Sequence, residues 1–386
     1  MYYASAQTDL SPLILGELGS VLLVLGVATY LAVKIKFSVV PIFLVGGIFF
    51  GVGGIFPLSL SESFLDIGAH IGGILLLLLL GLEFTADEIF GSIKARKSLW
   101  LYDLLINFTP GFILGFLFGW GILGAIALGG VTYVSSSGIA SHSIKDYSLE
   151  TSEATRRVIA VLVVEDVVLA LYLPILTSLV VAASFWAGLL SFAIALSIIG
   201  LTLLLASKNL HLSKNSVILG DSATLLLLVF GGALLVAGLS SLLGFSGAVA
   251  AFLFGLLLTG DFALVARERL APLRDLFAAL FFLFFGLSIN PAALPAAILP
   301  ALLISLVGIV AKVLTAYIAV KNLPKGSFAT ALMIFLPRGE FSILIAGLVS
   351  LTAFGEEFGA ITILFVFFTS LTSSFIGRFC IQSPKP

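Results

Sequence analysis

Cysteine, histidine and charge are all scarce in this chain, and each scarcity removes a class of function. The single cysteine, Cys380, excludes an internal disulfide and carries no redox or metal-binding spacing. His70, His142 and His211 are scattered, with no HExxH or comparable ligand pattern between them. There is no P-loop, no GxGxxG after a strand and no soluble stretch longer than a loop, which argues against ATP-driven transport and a fused nucleotide-binding regulatory domain. Charged residues make up only 10% of the sequence, less than half the share in an ordinary soluble domain. The 19 basic and 20 acidic residues nearly cancel, so nothing pulls the chain toward nucleic acid. The opening residues MYYASAQTDLSPL lack the basic region of a secretory signal, and the first apolar segment is expected to be retained. No cofactor is implied.

What is abundant is apolar. Hydrophobic residues reach 60% of the 386 positions, the composition of a multi-pass membrane protein. Hydropathy divides the chain into thirteen candidate spans, at about 12–33, 39–56, 64–83, 99–119, 121–141, 157–177, 185–206, 217–237, 240–260, 272–290, 296–320, 326–350 and 357–378. Seventeen of the 19 basic residues fall in alternate loops, and the loops between them hold none. Basic residues stay on the cytoplasmic side, so thirteen helices are expected, with the N-terminus outside and the C-terminus inside.

The two remaining cations, Lys312 and Arg338, lie within spans. Lys312 is near enough to the cytoplasmic end to snorkel; Arg338 is too central. The sixth span, Val158–Leu176, reads VIAVLVVEDVVLALYLPIL, nineteen residues with the acids Glu165 and Asp166 at their centre. At about 1.5 Å per residue the stretch matches the hydrocarbon thickness, so both acids sit near the midplane, where an ionised carboxylate persists only if paired, protonated or cation-bound. With Glu340, the count is two buried cations against three anions: two internal pairs, and one acid left to exchange a proton for a cation.

Two spans carry helix breakers at depth. The fifth reads GGVTYVSSSGIASHS, with Thr132, Ser135, Ser136, Ser137 and Gly138; the twelfth reads FLPRGEFS, with Pro337 and Gly339 flanking Arg338. Backbone groups freed there must line a cavity or bind something. The two breaks occupy corresponding places in oppositely oriented halves, the inverted-repeat pattern of a secondary transporter. Elsewhere bland readings suffice. The glycine-rich pieces Gly46–Gly54 and Gly111–Gly119 suit close helix packing. Glu83, Asp87 and Glu88 suit a solvated helix end, and Asp66 and Asp103 are candidate cavity-mouth charges near helix ends.

The GLEF at the end of the third span, the TxxSSS break, VVEDVV, FFGLSIN after the tenth span and RGEFS together resemble the bacterial monovalent cation:proton antiporters of the Kef/NapA type, over roughly residues 10–380. The resemblance implies an all-α sodium/proton antiporter-like fold in one transmembrane domain. Core helices (about 99–177 and 296–378) would move elevator-fashion against scaffold and dimerisation helices (about 12–56 and 217–290). It implies a prokaryotic plasma-membrane homodimer, and, since Kef-type relatives often carry a nucleotide-binding domain, any such gate would be a separate cytoplasmic subunit. Asp166 falls at the position that binds cation or proton, and Lys312 at that of a lysine that pairs with the first acid, here Glu165, and can release a proton.

The expected mechanism follows from the residues. K⁺ or Na⁺ and H⁺ compete for Asp166. Hydroxyls of Thr132, Ser135, Ser136 and Ser137, with freed carbonyls, complete the cation's oxygen shell, and Arg338 holds Glu340 or Glu165 while compensating the broken helix ends. The alternatives within transport are a symporter or channel for a cation or a small organic anion. An intramembrane enzyme would need a nucleophile and base at depth, and no histidine lies near a midplane.

Overall fold

The computed structural model of the protein describes residues 12–34, 38–51, 62–83, 97–181, 221–242, 247–258, 260–324 and 326–381, with isolated positions 54, 57 and 197. Every regular element among them is helical. In chain order these are α1 (Pro12–Lys34), α2 (Val40–Phe50), α3 (Glu62–Glu83), α4 (Lys97–Leu117), α5 (Gly121–Tyr133), α6 (Ser137–Asp146) and α7 (Glu153–Val181). There follow α8 (Ser222–Leu242), α9 (Gly247–Leu257), α10 (Asp261–Leu287), a 3₁₀ turn (Pro291–Ala293), α11 (Leu294–Val320), α12 (Gly326–Phe335), α13 (Glu340–Leu348) and α14 (Gly355–Cys380).

Taking α5–α6 and α12–α13 each as one interrupted segment, ten described segments are long and apolar enough to cross a bilayer, and α2 and α9 are shorter apolar helices. These twelve coincide with twelve of the thirteen segments read from hydropathy. The seventh, 185–206, lies outside the described residues except for position 197, and Asp87, Glu88, His211 and the loop cations Lys36, Lys94, Arg96, Lys208, Lys214, Lys325 and Lys385 lie outside them as well. The chain is an integral, multi-pass membrane protein. The largest boundary difference is that α10 begins at Asp261 rather than near 272. Arg267 and Arg269 lower the local hydropathy, yet Ala263, Ala266 and Leu270 recur at helical spacing and are buried, so the helix continues through the charged stretch on one apolar face.

Two groups of helices make up the body. In one, α3 packs against α9 and α10, α2 against α10, and α8 against α9. In the other, α4 packs along α5 and crosses α11, α11 packs on α14, and α12 packs on α7, α11 and α14. Contacts of α2 with α14, α7 with α9 and α10 with α13 join the two. Glycines set the closest approach within each group. A methyl on Gly47 would collide with the Leu283 carbonyl, one on Gly286 with the Leu44 carbonyl, and one on Gly115 would stand 2.6 Å from the Ala125 Cα. Large apolar side chains on α1 and α8, such as Leu23 (71% exposed) and Leu227 (68%), face outward, where lipid solvates them.

Gly286→Ala is therefore expected to cost about 1–3 kcal/mol by forcing α2 and α10 apart. Gly26→Ala, where nothing stands within 4 Å of the added methyl, should stay within about 0.5 kcal/mol of wild type. Thermal unfolding of the two variants in detergent measures the difference.

Candidate functional site

The site is built where two helices stop short in the middle of the protein. The α5 helix ends at Tyr133, residues 134–136 are extended, and α6 begins at Ser137; α12 ends at Phe335 and α13 begins at Glu340. The breaks lie directly against each other. The Ser136 amide donates to the Pro337 carbonyl at 2.8 Å, and the Ser135 hydroxyl donates to the Phe335 carbonyl at 3.0 Å. Only glycine fits at 339, because a Cβ there would sit 2.5 Å from the Ser136 Oγ.

Each break exposes a negative helix C-terminus and a positive N-terminus, and different side chains answer them. The buried Arg338 guanidinium donates to the Thr132 carbonyl (2.8 Å) at the end of α5 and the Phe335 carbonyl (3.0 Å) at the end of α12, and to Ser135 Oγ (3.2 Å) between them. It lies 5.8 Å from the Phe365 ring centroid. On the other side, Ser136 Oγ accepts from the Ile139 amide at 3.2 Å, capping α6, and donates to Glu340 Oε2 at 2.8 Å in the first turn of α13. Arg338 makes no ion pair with a described carboxylate, so it holds neither Glu340 nor Glu165. The reason is local geometry: Arg338 lies on the extended stretch and turns back to the carbonyl ends, whereas Glu340 starts the next helix and turns to the amide ends.

Glu340 also lines a cavity of about 140 Å³ that includes Ser38, His142, Asp146 and Ser374, on the side of the α1–α2 and α6–α7 connections.

The acids sit one layer behind the crossing, on α7. Glu165 is fully buried: one oxygen accepts from the Ser135 amide at 2.6 Å and the other from Lys312 Nζ at 2.9 Å. Lys312, also fully buried, donates equally to Asp103 Oδ1 of α4 at 2.8 Å. Asn107, one turn on from Asp103, donates to it at 2.9 Å and to Thr315 of α11 at 3.0 Å. Lys312 does not snorkel, and Asp103 is not a cavity-mouth charge; it is 1% exposed. Asp66, the other candidate of that kind, pairs with His70 at 3.3 Å on the surface of α3. Asp166 is buried (4% exposed) and lies about 100° round the helix from Glu165. The buried Tyr133, at the end of α5, lies within the fields of Asp103, Glu165 and Asp166.

The structure therefore brings Glu165, Asp166, Ser135, Ser136, Lys312, Arg338 and Glu340 into one region, but distributes their contacts differently from a simple count. Lys312 takes two acids, and Arg338 takes backbone carbonyls. The hydroxyls of Ser135 and Ser136 stitch the crossing together. Thr132 Oγ1 donates into α4, 2.9 Å from the Asn107 carbonyl, while its own carbonyl serves Arg338. Ser137, half-buried, opens α6.

The chain as a whole resembles known proteins in sequence and in fold. The family model of transmembrane sodium/hydrogen exchangers covers residues 20–380. The chain belongs to that family. Among similar proteins, this exchanger is 30% identical over 343 residues to the K⁺/H⁺ antiporter subunit KhtU of Bacillus subtilis, spanning 86% of this chain and 85% of the relative. It is 28% identical over 391 residues to the ammonium/H⁺ antiporter subunit AmhT of Alkalihalophilus pseudofirmus, spanning 93% and 94%. Its fold matches that of the sodium proton antiporter MjNhaP1 of Methanocaldococcus jannaschii with a TM-score of 0.68, at 21% identity, over 95% of this chain and 99% of the other.

Four residues of the site, Asp103, Asn107, Tyr133 and Thr315, are not singled out as partners by the sequence. The signal was present in spacing: Asp103 and Asn107 four apart on α4, Lys312 and Thr315 three apart on α11, each a polar pair on one helical face.

Arg338→Lys keeps the charge but replaces a five-donor fork with a compact ammonium, which cannot reach the ends of both α5 and α12. Cation-driven proton flux in proteoliposomes is expected to fall about tenfold or more, a loss of roughly 1.4 kcal/mol.

Proposed function

We propose that this exchanger moves one monovalent cation against H⁺ by alternating access, with proton and cation competing for the Asp166 carboxylate. The observation that carries the reading is a buried acid pair set against the crossing of two broken helices, with Glu165 tied to that crossing through the Ser135 amide. Both oxygens of Glu165 are engaged, by Lys312 and by Ser135, which supports a holding rather than an exchanging role for Glu165. A carboxylate suits the task because it is neutral in both loaded states, protonated or cation-bound, and a neutral site crosses an apolar barrier at far lower cost than a bare charge.

Non-helical backbone at 134–136 and 336–339 is buried in the protein interior, where it is tolerated in a membrane. Arg338 and Glu340 fix that backbone so the cation meets an oxygen shell already in place. The segments carrying the breaks and the acids would move as the core against the group built on α3 and α10, about 99–177 and 296–378 against about 12–56 and 217–290. The basic loops support an N-terminus outside and a Glu340 cavity on the cytoplasmic side. The bacterial relatives support a prokaryotic plasma membrane as the location, and their naming as antiporter subunits supports a separate cytoplasmic regulatory partner. The outward apolar faces of α1 and α8 are available to a second copy in a homodimer.

The relatives' names, with K⁺ in one and ammonium in the other, make K⁺, Na⁺ and NH₄⁺ the ions to test. With a pH gradient imposed on proteoliposomes, one of these ions should dissipate it in the wild type. Asp166→Asn should abolish the exchange while the protein remains folded, and wild-type exchange in that variant would rule out Asp166 as the site.

A further inference from the structure

Lys312 has two carboxylate partners rather than one. Asp103 Oδ1 lies 2.8 Å and Glu165 Oε1 2.9 Å from its Nζ, and all three side chains are at most 1% exposed. The partners come from different helices and are held by different means. Glu165, on α7, is fixed by the Ser135 amide of the broken helix. Asp103, on α4, is fixed by Asn107, whose amide also bonds Thr315 one turn from Lys312. The rings of Tyr133 (6.0 Å) and Phe335 (5.1 Å) also stand near the ammonium, and both favour a cation. The other cation buried among the described residues, Arg338, is bonded to carbonyls and a hydroxyl.

We infer that Asp103 is a positioning residue that holds Lys312 as an ammonium throughout the transport cycle, so that exchange is electroneutral, one proton for one cation at Asp166. The inference rests on the antiport reading and deepens it. A lysine with a single acid partner can lose its proton when that acid is neutralised or turns away, and it then carries a second proton per cycle. Here release of the Lys312 proton would leave two carboxylates facing a neutral amine in a low-dielectric interior, and neutralising either acid still leaves the ammonium the other. On this account the H⁺ that leaves Asp166 on one side is replaced by one cation, and no second proton travels. The membrane potential then does no work on the cycle.

The test is the coupling ratio, read in proteoliposomes as the pair of H⁺ and cation gradients, both directed the same way, at which net flux vanishes, measured at several clamped membrane potentials. The wild type is expected to balance when the H⁺ and cation concentration ratios across the membrane are equal and run in the same direction, whatever the potential. Asp103→Asn leaves Lys312 a single acid, so the balance point should move toward two protons per cation and become dependent on potential. Asp103→Glu should keep the ratio of one. A wild-type ratio of two, or an Asp103→Asn variant that exchanges at a ratio of one, overturns the inference. A wild-type ratio of two overturns the inference even if the asparagine variant does not fold, and a ratio of one kept by Asp103→Glu supports it. No exchange of any monovalent cation by the wild type would sink the antiport reading and this inference with it, whereas a ratio of two sinks the inference alone.

Discussion

A helix interrupted inside a bilayer leaves backbone amides and carbonyls with no water to bond, and every other feature of this site follows from how those groups are answered. Two interruptions are placed against each other, so that the extended strand of one bonds the other through Ser136 and Pro337. The carbonyl ends of α5 and α12 converge on one guanidinium, and the amide ends of α6 and α13 converge on Ser136 and Glu340. Arg338 and Glu340 are two residues apart in sequence yet serve opposite poles of the crossing. The result is irregular backbone held in a fixed geometry, the condition for arranging oxygens around a small cation.

The second layer couples that geometry to charge. Ser135 contributes its hydroxyl to the crossing and its amide to Glu165, so the acid pair on α7 is registered against the break. From Glu165 the network continues through Lys312 to Asp103, Asn107 and Thr315, tying α7 to α11 and α4. A structural role alone would be met as well by apolar packing, since buried ion pairs add little net stability. Under the proposed mechanism the network fixes which acid exchanges and which acids only hold the lysine.

Much of this was legible in the sequence, for physical reasons. Charges in an apolar run are costly enough to stand out, which revealed Glu165, Asp166, Lys312 and Arg338. Serine clusters and a Pro-Arg-Gly step at depth revealed the breaks. Asp103 was hidden because it lies six residues from the start of α4, where a charge at an interface and a charge in the core have the same sequence. Pairing by counting failed at Arg338, since a count of signs ignores helix dipoles, which supplied its partners. The hydroxyls were recognised as important but assigned to the cation. In the structure, Thr132 donates to the Asn107 carbonyl of α4, Ser135 to the Phe335 carbonyl of the facing break, and Ser136 caps α6.

The central claim is that proton and cation compete for one carboxylate, and the most direct measurement is of protons released when cation is added to the detergent-solubilised protein in weakly buffered solution. The account predicts one proton released per cation bound below the pH at which Asp166 ionises, with cation affinity falling about tenfold for each further unit of acidification. Cation binding that releases no proton and is indifferent to pH would contradict it.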